Sequence, residues 1–142
     1  VFNTVVVGAD DSPTAAEAVR KAIALVKLTG GQLHIVSAYK PRQFKSSVTE
    51  VDEYLKSLGS DALAQSLLDE LRAVARTAGV RAETHALTSA PADAICDVAT
   101  QVRADLVVVG NKGMQGMHRV LGSVPNSVAH QAPCDVLIAF TA

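Results

Sequence analysis

The sequence is poor in cysteine, in aromatic residues and in net charge, and each shortage removes a class of function. Two cysteines, Cys96 and Cys134, are too few for a disulfide scaffold. They also lack the spacing and accompanying histidines of a zinc site, so both are read as packing residues and no metal ligands are expected. Two Tyr, three Phe and no Trp leave little to stack on the bases of a nucleic-acid strand. Lys and Arg total 13 against 14 Asp and Glu, a formal charge of −1, so nucleic acid and anionic membranes are not expected partners. Any anion must be gripped locally. No apolar run approaches the roughly 20 residues that cross a bilayer. The opening residues 1–7 lack the basic flank and long apolar centre of a signal peptide, and the expected location is the cytoplasm.

What the sequence does have is 49% apolar residues, mainly Ala, Val and Leu, arranged in alternating short and long segments. Its 142 residues suit one domain, expected to span 1–142. The β-branched run Thr4 to Gly8 reads as a strand buried on both faces. Ser12-Pro13 then caps and opens a helix whose apolar face is Ala15, Val19, Ala22, Ile23 and Val26, stopped by Gly30-Gly31. Leu33 to Tyr39 reads as a second strand. Residues 40–59 form an excursion, with one short helix expected at Val51 to Leu58. From Asp61 the spacing Leu63, Leu67, Leu71, Val74, Ala78 predicts a separate amphipathic helix ending at Gly79. Val80 to Leu87 alternates as a third strand. Pro91 opens a helix with Ile95, Val98, Ala99 and Val102 inward, and Asp105 to Gly110 is a fourth strand. Ser123 to Gln131 is the last helix, and Cys134 to Phe140 the fifth strand. This alternation predicts a doubly wound α/β domain with a mainly parallel sheet and helices on both faces. Ligands of such folds bind beyond the carboxyl ends of the strands, where strand order reverses. Strands one and four are the expected neighbours there, and they share the phrase Val-Val-Val-Gly.

The chemistry concentrates after those two strands. Gly110, Gly113, Gly116 and Gly122 permit close backbone approach to a ligand, and Ser123 is expected to cap a helix whose positive end attracts anions. Lys112, His118 and Arg119 offer local positive charge. The same glycines equally serve as turn residues, and the same cations equally solvate a loop. At the end of strand one, Asp10 and Asp11 suit ribose hydroxyls or a hydrated Mg²⁺, or simply stabilise a helix start. A Walker loop fails for want of Lys-Ser or Lys-Thr after a glycine, and the G-x-G-x-x-G fingerprint is missing after strand one. A phosphorelay receiver fails at the ends of strands three and five, which read His85-Ala-Leu-Thr and Ile138-Ala-Phe-Thr. His34 and His85 sit within strands and read as packing or edge residues; His130 suits a helix C-terminus. No nucleophile elbow is present.

These residues resemble the universal stress protein family across essentially the whole chain. The resemblance rests on Thr4-Val-Val-Val-Gly-Ala-Asp10-Asp-Ser12, on Ala104-Asp-Leu-Val-Val-Val-Gly110, on Gly113 with Gly122-Ser123-Val124, and on Cys134-Asp-Val-Leu-Ile138. The family's nucleotide-binding branch has nine residues between the second and third motif glycines, whereas eight separate Gly113 from Gly122 here. Asp11 also stands where many members have glycine. The resemblance implies a five-stranded parallel sheet in order 3-2-1-4-5 and an adenine nucleotide: ATP, with Mg²⁺ possible, AMP or cyclic AMP. It implies that Asp10 holds the ribose side, and that Ala9, Ala38 and Val109 line the adenine slot. Gly110, Gly113, Gly122, Ser123 and Val124 would cradle ribose and phosphates. It further implies a homodimer joined along Asp135 to Phe140, an apolar edge otherwise open to nonspecific pairing. The expected function is a stress-response protein that senses or buffers nucleotide. The alternatives are a slow Mg²⁺-dependent ATPase or autophosphorylating enzyme in the same pocket, and a nucleotide-free interaction module.

Overall fold

The computed structural model describes residues 1–10, 12–39, 50–111 and 122–141, with backbone alone for 50–60. Strands β1 (Thr4–Gly8), β2 (Gln32–Ala38), β3 (Ala82–Leu87), β4 (Leu106–Gly110) and β5 (Asp135–Ala139) alternate with helices α1 (Pro13–Thr29), α2 (Glu50–Thr77), α3 (Pro91–Gln101) and α4 (Ser123–Gln131). Every strand pairing is parallel and the order is β3-β2-β1-β4-β5, as the family resemblance implies. The two Val-rich strands are neighbours in register, with Val6 opposite Val107 and Val7 opposite Val108.

Side chains alternate across a strand, so the central run Val5-Val6-Val7 serves two cores at once. Val5 and Val7 pack with Val19, Ile23 and Val26 of α1 and with Leu68 of α2, whereas Val6 packs with Ile95 and Val98 of α3 and with Val128 of α4. All three valines are fully buried. Burying one such side chain contributes on the order of 1.5–3 kcal/mol, which makes β1 the anchor of both layers.

Helix ends follow local chemistry. Ser12 takes extended angles as N-cap of α1, and its Oγ accepts from the Ala15 N–H at 3.2 Å. Gly30 closes the helix at φ 73°, a left-handed conformation for which glycine is suited.

Two expectations for the second helix are corrected. The separate short helix at Val51 to Leu58 and the helix from Asp61 are one continuous helix, Glu50–Thr77. Gly59 costs only about 1 kcal/mol in a helix interior, and with no proline beside it the hydrogen-bond ladder continues. The inward stripe is also corrected at two of its positions, Leu63 and Val74, while Leu71 is in the core and Leu67 and Ala78 pack against it as expected. Ala64, Leu68, Leu71 and Ala75 are buried, while Leu63 is 73% exposed and Val74 44% exposed. Small alanines facing the sheet let the helix approach it, which leucine spacing alone does not reveal. At α3 the buried residues are Ala92, Ala94, Ile95, Cys96, Val98 and Ala99, and the expected Val102, the C-cap of the helix, packs partly buried against the same core. Residues 40–49 of the expected excursion lie outside the described residues.

Candidate functional site

The strand order reverses between β1 and β4, and a cleft of about 480 Å³ opens at the carboxyl ends of the central strands. Its size falls within the roughly 300–1,000 Å³ of small-molecule sites. From β1 and the turn after it come Gly8, Ala9 and Asp10; from β2, Val36 and Ala38; from β4, Val109 and Gly110. Three helix N-termini complete the wall: Ser12, Thr14 and Ala15 at α1, Pro91 and Ile95 of α3, and Gly122, Ser123, Val124 and Pro125 at α4. Each N-terminus directs partial positive charge toward the cleft.

Of the sequence-predicted positions, Ala9, Asp10, Ala38, Val109, Gly110, Gly122, Ser123 and Val124 all line this cleft. Gly113 lies outside the described residues, as do Asp11, Lys112, Gly116, His118 and Arg119. Sequence reasoning missed Thr14, Ala15, Val36, Pro91, Ile95 and Pro125. Val36 was legible from strand periodicity, being two residues before Ala38 on the same face. Pro91 and Ile95 required knowing which helix end meets β1.

The expected cap of α4 is corrected. Gly122, in extended conformation (φ −60°, ψ 163°), is the N-cap; Ser123 is the first helical residue, and among the described residues no side chain caps this helix. Pro125 in its first turn has no N–H. The first-turn donors here are thus the main-chain N–H groups of Ser123 and Val124. This differs from α1, whose N-terminus is closed by Ser12 Oγ.

Asp10 is exposed at the mouth, and its carboxylate accepts the Ser12 N–H at 2.8 Å. No Lys, Arg or aromatic side chain occurs among the described lining residues. The arrangement offers apolar walls of small side chains, one carboxylate, the three hydroxyls of Ser12, Thr14 and Ser123, and convergent helix ends.

Just beyond this site, Asn111 is buried, and its Oδ1 accepts from both the N–H and the hydroxyl of Thr141 at 2.8 Å. This ties the residue just after β4 to the segment just beyond β5. Both cysteines are free, and burial pushes each thiol above its ordinary pKa; Asp93 and Asp97 add to the shift at Cys96, and Asp105, Asp135 and Cys96 at Cys134. Neutral thiols in apolar surroundings are poor nucleophiles, in keeping with a packing role.

His34 and His85, read from sequence as separate strand residues, are brought together: His34 Nδ1 lies 2.9 Å from His85 Nε2. Glu83 Oε2 stands 3.7 Å from the same His34 nitrogen. Burial lowers the His34 pKa, and the neighbouring His85 lowers it further against the opposing charge of Glu83. The signal was present in the sequence as Glu83-x-His85 on one strand face, with His34 on the adjacent strand once the sheet order is known.

Fold and cleft together define an open parallel α/β protein with a ligand-sized site at its crossover point. The model of the universal stress protein family matches residues 2–139, and the chain belongs to that family. It is 35% identical over 143 aligned residues to Universal stress protein Rv1636 of Mycobacterium tuberculosis, covering 99% of this chain and 97% of the relative. A putative universal stress protein of Staphylococcus aureus strain USA300 is 31% identical, over 99% of this chain and 85% of its own. Among solved structures, a universal stress protein in complex with cAMP superposes with a TM-score of 0.79 at 34% identity, covering 99% of both chains. UspA from Lactobacillus plantarum shares the fold, with a TM-score of 0.81 at 22% identity over 96% of this chain and 97% of its own.

Proposed function

We propose that this protein binds an adenine nucleotide in the cleft between β1 and β4, with cyclic AMP the first ligand to test, and acts as a sensor or buffer of nucleotide in a stress response. The observation that carries this reading is the convergence of the α1, α3 and α4 N-termini on an apolar cleft, with α4 uncapped by any side chain among the described residues. Uncapped main-chain N–H groups suit a phosphate, and small aliphatic walls suit a flat base. The solved relative at 34% identity, described as a complex with cAMP, supports the same choice. In this reading adenine lies among Ala9, Ala38 and Val109, Asp10 accepts ribose hydroxyls, and Gly110, Gly122, Ser123 and Val124 surround the phosphate. Gly113 completes the cradle. ATP, with Mg²⁺ held near Asp10, is the second nucleotide to compare.

The functional unit in this reading is a cytoplasmic homodimer. Strand β5 is a sheet edge paired with β4 alone among the described strands, and next to it Leu137 is 43% and Phe140 59% exposed. Pairing two such edges would cover both the apolar side chains and the open backbone groups.

Isothermal titration with cyclic AMP, AMP and ATP tests the nucleotide reading. Saturable binding of at least one, weakened in Ser123→Pro and Val109→Phe variants that still unfold cooperatively, is the expected result. No heat from any of the three at millimolar ligand would overturn it.

A further inference from the structure

We infer that His34, Glu83 and His85 form a binding site for a divalent transition-metal ion of the zinc type on the sheet between β2 and β3. The three residues each direct one ligand atom into a common space, and these atoms all lie within 4.8 Å of one another. They come from two rigid, paired strands: His34 stands opposite Glu83 in register, and His85 follows two residues on, opposite Val36 and on the same face. No loop has to fold over to assemble the set.

The spacing suits the ion. Zinc bonds of about 2.0–2.2 Å in tetrahedral geometry place neighbouring ligand atoms roughly 3.3–3.5 Å apart. The observed separations from His34 Nδ1, 2.9 Å to His85 Nε2 and 3.7 Å to Glu83 Oε2, lie on either side of that value. Small rotations of the three side chains, with the exposed Glu83 carboxylate moving furthest, would convert the hydrogen-bonded cluster into a ligand set whose atoms already lie within 4.8 Å of one another. The His34 side chain is 5% exposed and the Glu83 side chain 70% exposed, so the cluster reaches from the core to solvent and has an entry path.

Donor chemistry fixes the class. Two imidazoles and one carboxylate favour zinc, nickel, copper or cobalt over magnesium or calcium, which take oxygen donors. Three protein ligands leave a fourth position for water. The ion would join the edge strand β3 to β2 one pleat before Val36, which lines the cleft. The site is independent of the nucleotide reading, because none of its three residues lines that cleft.

The experiment is titration of the intact, metal-stripped protein with Zn²⁺ by calorimetry and with Co²⁺ by visible absorption. Variants are His85→Gln and Glu83→Gln, with His130→Ala as a control outside the cluster. The expected result is one ion per chain in the wild type and in His130→Ala. Affinity falls at least about 100-fold in His85→Gln and at least about 10-fold in Glu83→Gln, the span over which supporting groups tune metal sites. A Zn²⁺-dependent rise in melting temperature accompanies binding in the wild type and is lost in His85→Gln. No uptake at about 100 μM Zn²⁺, a level well above the affinity of built zinc sites, or equal uptake by wild type and both variants, overturns the proposal. Glu83 is exposed, so Glu83→Gln reads the site without a folding defect even if His85→Gln loses stability.

Discussion

Gly8 ends β1 directly against Ile95 of α3: a Cβ at Gly8 would overlap the Ile95 Cδ1 methyl and approach Cγ1 to 3.1 Å. Both residues line the cleft, so the missing side chain at Gly8 is the room that Ile95 occupies. Gly8→Ala is expected to displace the flexible end of Ile95 into the cleft. Overpacking of this kind costs about 1–3 kcal/mol, divided between stability and ligand binding. The expected outcome is a cyclic AMP affinity reduced about tenfold, with cooperative unfolding retained; unchanged affinity by calorimetry removes the Gly8–Ile95 contact from the site.

The two serines at helix starts are expected to behave oppositely. Ser12 caps α1 through its Oγ, and Ser12→Ala should lower stability by about 1 kcal/mol. Ser123 is the first residue of α4 and caps nothing, so Ser123→Ala should change stability by less than about 0.5 kcal/mol. Urea denaturation of the two variants makes the comparison. A larger loss at Ser123 would restore it as the cap.

Asp105 fastens the start of β1 to β4, accepting the Asn3 N–H at 2.9 Å and the Thr4 N–H at 3.0 Å. Desolvation raises its pKa, but these two N–H donors, its own backbone N–H and the N-terminal charge outweigh it, and the net shift is downward. A carboxylate with a depressed folded pKa adds stability above its unfolded value of about 3.9 and loses it as pH falls through the lower folded value. Asp105→Asn is therefore expected to cost about 1–2 kcal/mol at pH 7, one of the two bonds being exposed. The deficit should shrink as pH drops below about 4. A deficit that stays constant from pH 7 to pH 3 would show that charge plays no part.

Much of this architecture was legible because β-branched runs and helical periods differ so clearly. Val5-Val-Val and Val107-Val-Val declare buried parallel strands, and the glycines after each mark where the chain leaves the sheet. The site was legible for the same reason, since a ligand cleft in this topology must sit beyond those glycines. What stayed hidden was contact across elements. Ala64 and Ala75 face the sheet because small residues let α2 approach, a preference that leucine spacing does not carry. Gly59 looks like a stop but lies within a helix held by its C-terminal half. His34 and His85 are 51 residues apart and become neighbours only through strand pairing.

The edge strand β5 gives the last expectation. Residues 135–138 alternate between exposed and partly covered, Leu137 and, just past the strand, Phe140 are turned to solvent, and β5 pairs with β4 alone among the described strands. Lys21 Nζ and Asn111 fasten the end of this segment, through the Phe140 carbonyl and through Thr141, so the edge is held in shape without covering it. A rigid apolar edge is suited to pairing with its own copy, and a charge placed in it should oppose that pairing. Leu137→Lys is expected to convert the proposed dimer to monomer by light scattering at micromolar concentration while the chain still unfolds cooperatively. A wild-type protein that is monomeric under the same conditions would overturn the dimer, and a Leu137→Lys variant that remains dimeric would move the subunit contact off this strand.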